Sequence, residues 1–248
     1  MAEASPSAYS RVIIPMRVNG VIVAAGEGTR IRKKTPKPFL PIAGRPMILH
    51  TLDRFASAQS VTKVILVTGK TEISICQELV RYDPRLIGLE CIVEKGGPRR
   101  QDSVARGLAR LDPDCEVVVI HDGARPFVSS RLIDQCVETA FRAGSVVVGV
   151  PVEDTIKVVS AAREVQQTPP RDTLWKIQTP QVFRVEIIRE SYGRATKEGV
   201  EATDDAMLVE RLGNVVTVLK GEASNIKVTF PQDLLFAEML VSAGKIPS

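Results

Sequence analysis

Short apolar runs alternate with amphipathic segments over most of the chain. Runs rich in β-branched residues occupy residues 21–25, 63–68, 90–94, 116–121 and 145–150. Between them, apolar residues recur at three- and four-residue intervals in residues 46–55, 72–80, 103–111 and 132–141. The first set is typical of buried strands and the second of helices. The alternation predicts an α/β fold with a mostly parallel twisted sheet flanked by helices.

The alternation breaks between residues 152 and 182, where the sequence resembles neither a helix nor a core strand. We predict a protruding arm of two short strands, because long excursions in compact domains are usually functional or intermolecular. Helices over 185–197 and 204–212, a strand over 215–220 and a strand-like run over 225–229 follow. Pro231 in a first turn, with Asp233 favoured by the helix dipole, predicts the start of a closing helix. We expect residues 1–17 to form a flexible tail and residues 18–248 a single domain that includes the arm.

Composition limits the classes of function. Of the 248 residues, 44% are hydrophobic and 25% are charged, as in a soluble globular protein. No apolar stretch reaches the length of a membrane span, and the amino end lacks the features of a secretory signal, so we expect a cytoplasmic protein that does not bind membranes. The net charge of +4, the aromatic content of 4% and the scattered cations argue against nucleic acid. A mild positive excess instead suits small molecules that carry several phosphates.

Cysteine and histidine are sparse and widely spaced. The four cysteines contain no Cys-x-x-Cys pair, and the chain has two histidines, His50 and His121. We therefore expect neither a zinc site nor a disulfide framework.

The first apolar run leads into a loop of small residues that ends in a cation. Gly26 and Gly28 can adopt positive φ, so that backbone N–H groups approach a polyphosphate, and Arg30 and Lys37 supply positive charge. The spacing matches neither a Walker A loop nor a dinucleotide fingerprint, which would need a third glycine where Ile31 stands. The loop indicates a nucleoside triphosphate site, with an ordinary strand-turn-helix link as the alternative.

Two later loops repeat this logic at the ends of predicted strands. The segment from Gly96 to Ser103 places two glycines and two arginines before a helix, which indicates a second ligand wall or, alternatively, a tight turn with solvated arginines. Asp122 could bind a ribose hydroxyl or lie near a magnesium ion, and Arg125 could meet a phosphate. The alternative there is an internal pair between Asp122 and Arg125 that fixes the turn. Because the carboxyl ends of parallel strands meet at one edge, we expect these loops to gather.

Two polar residues near the carboxyl end also have competing interpretations. Thr203 could cap a helix that begins at Asp204. Lys227 alternates with apolar neighbours and so points away from the core, towards the ligand edge or towards solvent.

Taken together, the motifs resemble those of the 2-C-methyl-D-erythritol 4-phosphate cytidylyltransferases. Eight motifs occur in the order of that family and cover the chain from about residue 18 to its end; they begin at Ala24, Pro36, Gly96, His121, Asp154, Gln178, Thr203 and Asn225. The resemblance implies a Rossmann-like enzyme of the non-mevalonate isoprenoid pathway. It would transfer CMP from CTP to 2-C-methyl-D-erythritol 4-phosphate, giving 4-diphosphocytidyl-2-C-methyl-D-erythritol and pyrophosphate.

The resemblance also implies a homodimer, a divalent cation and three sets of site residues. The arm would hook round the partner and lend residues to its site, and Mg²⁺ or another divalent cation would be held mainly by the CTP phosphates, near Asp122. The implied catalytic residues are Arg30, Lys37, Arg171 and Lys227. The implied CTP contacts are Ala24, Ala25, Gly26, Gly28, Arg30, Lys37, Gly97, Arg100 and Ser103. The implied contacts of the second substrate are Asp122, Arg125, Thr155, Arg171, Thr179, Thr203 and Lys227.

This reaction needs no general base, which agrees with a site poor in histidine. The attacking group is a phosphate whose second pKa is about 6, so it is mostly a dianion at neutral pH. Catalysis then rests on positioning and on neutralising charge.

Two alternatives have distinct sequence signatures. A ribitol-5-phosphate cytidylyltransferase more often begins its glycine loop with Ala-Gly-Gly, whereas this chain has Ala24-Ala25-Gly26. A non-catalytic nucleotide-binding protein would be expected to lack the cations at positions 30, 37 or 227, which are present here. Two prolines depart from the usual family pattern: Pro38 replaces a frequent glutamine, and Pro98 cannot donate a backbone hydrogen bond to the base.

Overall fold

The computed structural model describes residues 16–26 and 36–244. Their centre is a seven-stranded sheet in the order β11-β7-β10-β6-β1-β4-β5. These strands are β1 (Val18–Ala24), β4 (Lys63–Thr68), β5 (Glu90–Lys95), β6 (Val117–Asp122), β7 (Ser145–Pro151), β10 (Trp175–Arg184) and β11 (Thr217–Lys220). All neighbours pair in parallel except β10, which runs antiparallel to both β6 and β7. The prediction of a mostly parallel α/β sheet is confirmed.

Seven helices surround the sheet, and their bounds are α1 (Met47–Ala56), α2 (Ile73–Tyr82), α3 (Arg100–Leu108), α4 (Ser130–Ala143), α5 (Val185–Glu198), α6 (Asp205–Glu210) and α7 (Pro231–Ser242) within the described part of the chain. Helices α1, α2 and α4 pack on one face, and α3, α5 and α6 pack on the other. Each strand contributes side chains to both faces of the sheet, because successive side chains point to opposite faces. Val21 packs towards α3, whereas Ile22 packs towards α1 and α4. Two-sided burial explains why these strands read as continuous apolar runs.

A third, smaller core lies at one edge of the domain. The two-residue strands β2 (Pro41–Ile42) and β3 (Arg45–Pro46) form a hairpin, and α7 packs against it. Val228 is fully buried in this core with Leu40 and Leu234. This packing places the segment before α7 next to the carboxyl edge of the main sheet, where Val228 N–H donates to the Ala124 carbonyl at 2.8 Å.

The arm contains the two short strands that were predicted, but it ends earlier than expected. Strands β8 (Val158–Val159) and β9 (Val165–Gln167) form an antiparallel hairpin outside the main sheet. The prediction for residues 175–182 was wrong, since they belong to β10 in the middle of the sheet. The polar residues of β10 break the apolar pattern by which a buried strand is predicted. Their buried side chains form tertiary hydrogen bonds, such as that from Gln178 Nε2 to the Glu222 carbonyl at 3.0 Å.

Three local predictions near the carboxyl end meet different outcomes. Helix α7 begins at Pro231, and Asp233 accepts hydrogen bonds from the N–H groups of Thr229 and Phe230 at 2.7 and 2.8 Å, so that prediction is confirmed. The strand-like run at 225–229 forms no strand, because Val228 leaves the sheet to pack beneath α7. The cap of α6 is Asp204, which accepts from Met207 N–H at 3.0 Å, and not Thr203.

Candidate active site

A cleft of about 590 Å³ opens beyond the carboxyl edge of the sheet. It lies at β1, which has β4 on one side and β6 on the other, so the strand order reverses direction there. Ligands of open α/β sheets bind at such a topological switch point. The loops after β1, β5 and β6 line it together with two segments that are distant in sequence. The lining residues predicted from the sequence are Ala24, Ala25, Gly26, Lys37, Gly97, Arg100, Ser103, Asp122 and Lys227.

Two glycines let the loop after β5 approach the rest of the cleft. A Cβ on Gly96 would overlap the Cβ of Ala25, and one on Gly97 would overlap the Cβ of Asp102. Gly97 N–H donates to Ser103 Oγ at 3.0 Å, and this hydroxyl donates to the Arg99 carbonyl at 3.1 Å. The loop is therefore fixed against the start of α3, whose N-terminal end favours an anion in the cleft.

Two residues of the cleft lining, Gly26 and Ser103, differ from what the sequence led us to expect. Gly26 does not take a positive φ. Ser103 is only 1% exposed, so its hydroxyl serves the loop rather than an open surface.

Asp122 is the electrostatic centre of the cleft. Its Oδ1 accepts from Arg100 Nε at 2.9 Å, and its Oδ2 accepts from Lys227 Nζ at 2.6 Å. The alternative of an internal ion pair with Arg125 is wrong, since Arg125 donates from NH1 to the Asn225 carbonyl at 2.8 Å. One carboxylate thus joins cations from α3 and from the segment before α7.

These charges determine the ionisation of the group. Burial would raise the pKa of the Asp122 carboxyl, but the positive charges of Arg100 and Lys227 and their hydrogen bonds outweigh burial and lower the pKa. Burial likewise opposes the charged form of Arg100, yet Asp205 and Asp122 raise its pKa. The ionised forms of Asp122 and Arg100 are thus favoured together, which makes the pair a preorganised set of charges in the cleft.

A second carboxylate lies behind Arg100. Asp205 is 1% exposed, and its Oδ2 accepts from Arg100 NH2 at 2.8 Å. Its Oδ1 accepts from the hydroxyl of Tyr192 at 2.6 Å. Sequence reasoning missed both residues as parts of the site, although Asp205 lies in one of the recognised motifs. The signal for Asp205 was a carboxylate beside a helix start; nothing in the sequence marks Tyr192.

A neutral histidine supports the Asp122 backbone. His121 is fully buried, and burial lowers its pKa to about 4. Its Nε2–H donates to the Arg125 carbonyl at 3.0 Å, so Nδ1 accepts from the Thr179 hydroxyl, also at 3.0 Å. The Thr179 oxygen in turn accepts from Asp122 N–H at 3.0 Å. Both ring nitrogens and the Thr179 hydroxyl are therefore committed to holding the loop.

Several predicted site residues do not line the cleft. Arg125 and Thr179 lie behind its wall, whereas Thr155 and Arg171 are exposed on the arm, where Arg171 donates to the Glu153 carbonyl at 2.9 Å. Thr203 is exposed and its hydroxyl contacts Met207 Sδ at 3.9 Å. The predicted residues Gly28 and Arg30 lie outside the described residues. Met47, Arg99 and Thr229 line the cleft without having been predicted.

The donor set disfavours a metal held by protein side chains. Among residues 16–26 and 36–244, no three His, Cys, Asp or Glu side chains come together as a ligand set. Asp122, the acidic residue of the cleft lining, already has a cation on each carboxylate oxygen.

Comparisons with known proteins agree on one family. A family model described as 2-C-methyl-D-erythritol 4-phosphate cytidylyltransferase matches residues 18–243. Proteins of that name from Caldanaerobacter subterraneus and Bacillus velezensis are 42% and 43% identical. The matches cover 91% and 90% of this chain and 99% and 95% of the relatives.

Solved structures give the same result. The 4-diphosphocytidyl-2C-methyl-D-erythritol synthase of Anaerococcus prevotii superposes with a TM-score of 0.82 at 31% identity, covering 92% of this chain and 97% of the other. The 2-C-methyl-D-erythritol 4-phosphate cytidylyltransferase of Thermus thermophilus has a TM-score of 0.74 at 35% identity, covering 92% of this chain and 100% of the other.

Proposed function

The chain belongs to the family of 2-C-methyl-D-erythritol 4-phosphate cytidylyltransferases, and we propose that the cleft beyond β1 and β6 is its active site. The enzyme transfers CMP from CTP to methylerythritol phosphate, which gives 4-diphosphocytidyl-2-C-methyl-D-erythritol and pyrophosphate. The observation that carries the site assignment is that Arg100, Asp122 and Lys227 meet at the switch point of the sheet, next to the loop of Gly96 and Gly97 after β5, here called the glycine wall.

CTP would bind along the glycine wall. Backbone groups of residues 24–26 and Gly97 would face the nucleotide, and the N-terminal end of α3 would favour its phosphates. Lys37 and Arg100, which both line the cleft, would contribute positive charge. The family motif adds Gly28 and Arg30 to this set as proposed triphosphate contacts.

The second substrate would meet Lys227 and Asp122. The side chain of Lys227 is 40% exposed, so its ammonium group can donate a hydrogen bond to a substrate phosphate as well as to Asp122. Asp122 would then accept from a substrate hydroxyl. Arg125 and Thr179 would act from behind by fixing the Asp122 loop, and Thr203 stays a proposed contact on the strength of its motif.

We propose that the reaction proceeds by in-line attack of a phosphate dianion on the α-phosphorus of CTP. Because the nucleophile is already deprotonated at neutral pH, no side chain needs to remove a proton. The cations would neutralise charge that develops on the α-phosphoryl oxygens and on the departing pyrophosphate. His121 has no role as an acid or a base here, since it is neutral and both of its nitrogens are bonded.

We propose that Mg²⁺ or another divalent cation enters with CTP and is held mainly by its phosphates. The engaged oxygens of Asp122 support this view, since a metal ligand there would have to displace Arg100 or Lys227. Asp122 would act on such an ion through its charge.

A homodimer would bring Thr155 and Arg171 to a neighbouring cleft. The arm exposes the apolar side chains of Ile156, Val158, Val159 and Val165, and the adjoining start of β10 exposes those of Trp175 and Ile177. Such a surface favours burial against a second copy. Arg171 would then position the methylerythritol phosphate of the partner subunit.

We also propose that the enzyme acts in the cytoplasm. Its four cysteines are free, three of them buried, as expected in a reducing compartment. Among the described residues, no helix has the length and apolarity needed to cross a membrane.

Release of pyrophosphate from CTP tests the function. The assay compares methylerythritol phosphate with ribitol 5-phosphate at equal concentrations, and we expect kcat/KM to favour the first by at least about 100-fold, because a misplaced hydroxyl loses its hydrogen bond to Asp122. Preference for ribitol phosphate would overturn the assigned substrate. Binding of CTP without any turnover would support a nucleotide-binding protein instead.

A further inference from the structure

Arg100 is held from behind by a buried pair that the reaction does not touch. The pair consists of Asp205, at the first residue of α6, and Tyr192 in α5. Asp205 and Tyr192 are 1% and 6% exposed, and neither lines the cleft.

The bonds around Asp205 form a directional chain. The Tyr192 hydroxyl donates to Asp205 Oδ1 at 2.6 Å, and Arg100 NH2 donates to Asp205 Oδ2 at 2.8 Å. Arg100 Nε then donates to Asp122 Oδ1 at 2.9 Å. The guanidinium therefore bridges one buried carboxylate and one carboxylate in the cleft wall, and its rigid plane cannot rotate without breaking one of the two bonds.

The backbone of Asp205 is also fixed. Gln181 Oε1, on β10, accepts from the N–H groups of Asp205 and Ala206 at 3.0 Å each. Gln181 Nε2 donates to the capping residue Asp204 at 2.8 Å. The start of α6 is thus tied to the central sheet, and the Asp205 carboxylate is supplied to Arg100 from a rigid element.

Burial makes the pair strongly dependent on its partners. A carboxylate at 1% exposure is costly unless it is charge-paired and hydrogen-bonded. Burial and the neighbouring Asp205 carboxylate raise the pKa of Tyr192, so its hydroxyl remains protonated and always donates. Tyr192 is the one uncharged donor to this carboxylate among the described side chains.

We propose that Asp205 and Tyr192 are positioning residues that set the orientation of Arg100 towards CTP. With both in place, Arg100 offers the remaining N–H groups of its fork to the nucleotide in one geometry. Without the Tyr192 hydroxyl, Asp205 Oδ1 loses its donor, so the carboxylate can turn and no longer holds the guanidinium of Arg100 in one orientation. This inference rests on the proposed role of Arg100 in CTP binding.

The test is Tyr192→Phe, measured by calorimetric binding of CTP and by steady-state kinetics of the full-length protein. We expect the Kd and KM for CTP to rise about 5- to 10-fold, because one hydrogen bond to a charged group is lost. KM for methylerythritol phosphate should change less than about twofold.

Val209→Ala is the matched control, since Val209 is a fully buried residue of α6 outside this chain of bonds. It should lower the melting temperature and the active fraction of enzyme while leaving KM for CTP unchanged. An equal rise in KM for both variants would show that Tyr192 acts only on general stability and would overturn the proposal.

A double-mutant cycle separates this inference from the role of Arg100. In the background of Arg100→Lys, which lacks the planar guanidinium fork that Asp205 orients, Tyr192→Phe should have no further effect on CTP binding. If Arg100→Lys itself binds CTP normally, the role proposed for Arg100 is wrong. If Arg100→Lys weakens binding but Tyr192→Phe does not, the positioning pair is wrong and the role of Arg100 stands.

Discussion

At the scale of single residues, the sequence located the chemistry but not its internal partners. Asp122 could be predicted because it follows an apolar run, and Lys227 because it alternates with apolar neighbours. Their mutual bond joins positions 105 residues apart, and no local pattern indicates it. Local sequence also gives no sign of the partners of Thr179. This residue was predicted as a substrate contact, but its hydroxyl forms hydrogen bonds with His121 and with the Asp122 N–H group.

His121 gives a prediction about stability and pH. Its pKa is about 4 in the folded protein and about 6.5 when unfolded, so the unfolded chain takes up a proton first as the pH falls. The contribution of His121 to the free energy of unfolding should fall between pH 6.5 and 4 by about 1.4 kcal/mol per pH unit, and level off below. Urea denaturation of wild type and His121→Gln measures it. Equal pH slopes in both proteins would contradict the buried, neutral state.

The same residue gives a prediction about the rate. We expect kcat/KM to decline below about pH 6, where the substrate phosphate dianion takes up a proton and becomes a monoanion. Because this limb belongs to the substrate, it should persist in His121→Gln even if the rate is lower. Loss of the acid limb in that variant, with a pH-independent rate, would instead identify His121 as a base.

At the scale of elements, the sequence predicted strands with two buried faces and missed the one with polar interruptions. Observed β4 has the predicted bounds, since its six residues are all buried and largely β-branched. Strand β10 carries Gln178, Thr179 and Gln181 on buried positions, so its pattern resembles a loop. Gln178 bonds to residues before α7, Thr179 bonds to β6 and Gln181 bonds to the start of α6. Such tertiary compensation is invisible in a single segment.

The glycine wall gives a prediction at this scale. Gly97→Ala would force the loop after β5 away from Asp102 and from the start of α3. We expect KM for CTP to rise at least about 10-fold, because displaced anion-binding groups lose alignment. Steady-state kinetics at varied CTP checks this.

Gly193→Ala is the control for that substitution. Gly193 lies within α5, its position has open space for a Cβ among the described residues, and alanine there should stabilise the protein by about 0.5 to 1 kcal/mol. Unchanged KM with a raised melting temperature is the expected result. Normal CTP kinetics in Gly97→Ala would show that the wall tolerates a side chain.

At the scale of the whole molecule, the cleft depends on segments that meet only after folding. The carboxyl edge of the sheet follows from the βαβ order, so the gathering of the loops after β1, β5 and β6 could be predicted. The position of Lys227 in the cleft could not be predicted, because it depends on the packing of Val228 beneath α7. The position of the arm relative to a cleft likewise could not be predicted from local sequence, and Thr155 and Arg171 lie outside the cleft of their own chain.

Mixed dimers test the proposed contribution of the arm to a neighbouring site. Arg171→Ala and Lys227→Ala should each be nearly inactive as pure proteins. If Arg171 serves the partner, a random mixture restores one intact site in each mixed dimer, or about a quarter of all sites. Pyrophosphate release after co-refolding measures the recovery. Activity that stays at the average of the two single variants would place Arg171 in its own chain's site or in none.

The most direct test of the account is the steady-state rate of cytidylyl transfer by Lys227→Ala, with Lys220→Ala, an exposed cation on β11, as the control. If converging cations neutralise phosphate charge in this cleft, Lys227→Ala should lower kcat/KM by about 10² or more with a nearly unchanged melting temperature. Lys220→Ala should behave as wild type. A rate for Lys227→Ala within about twofold of wild type would contradict the central claim.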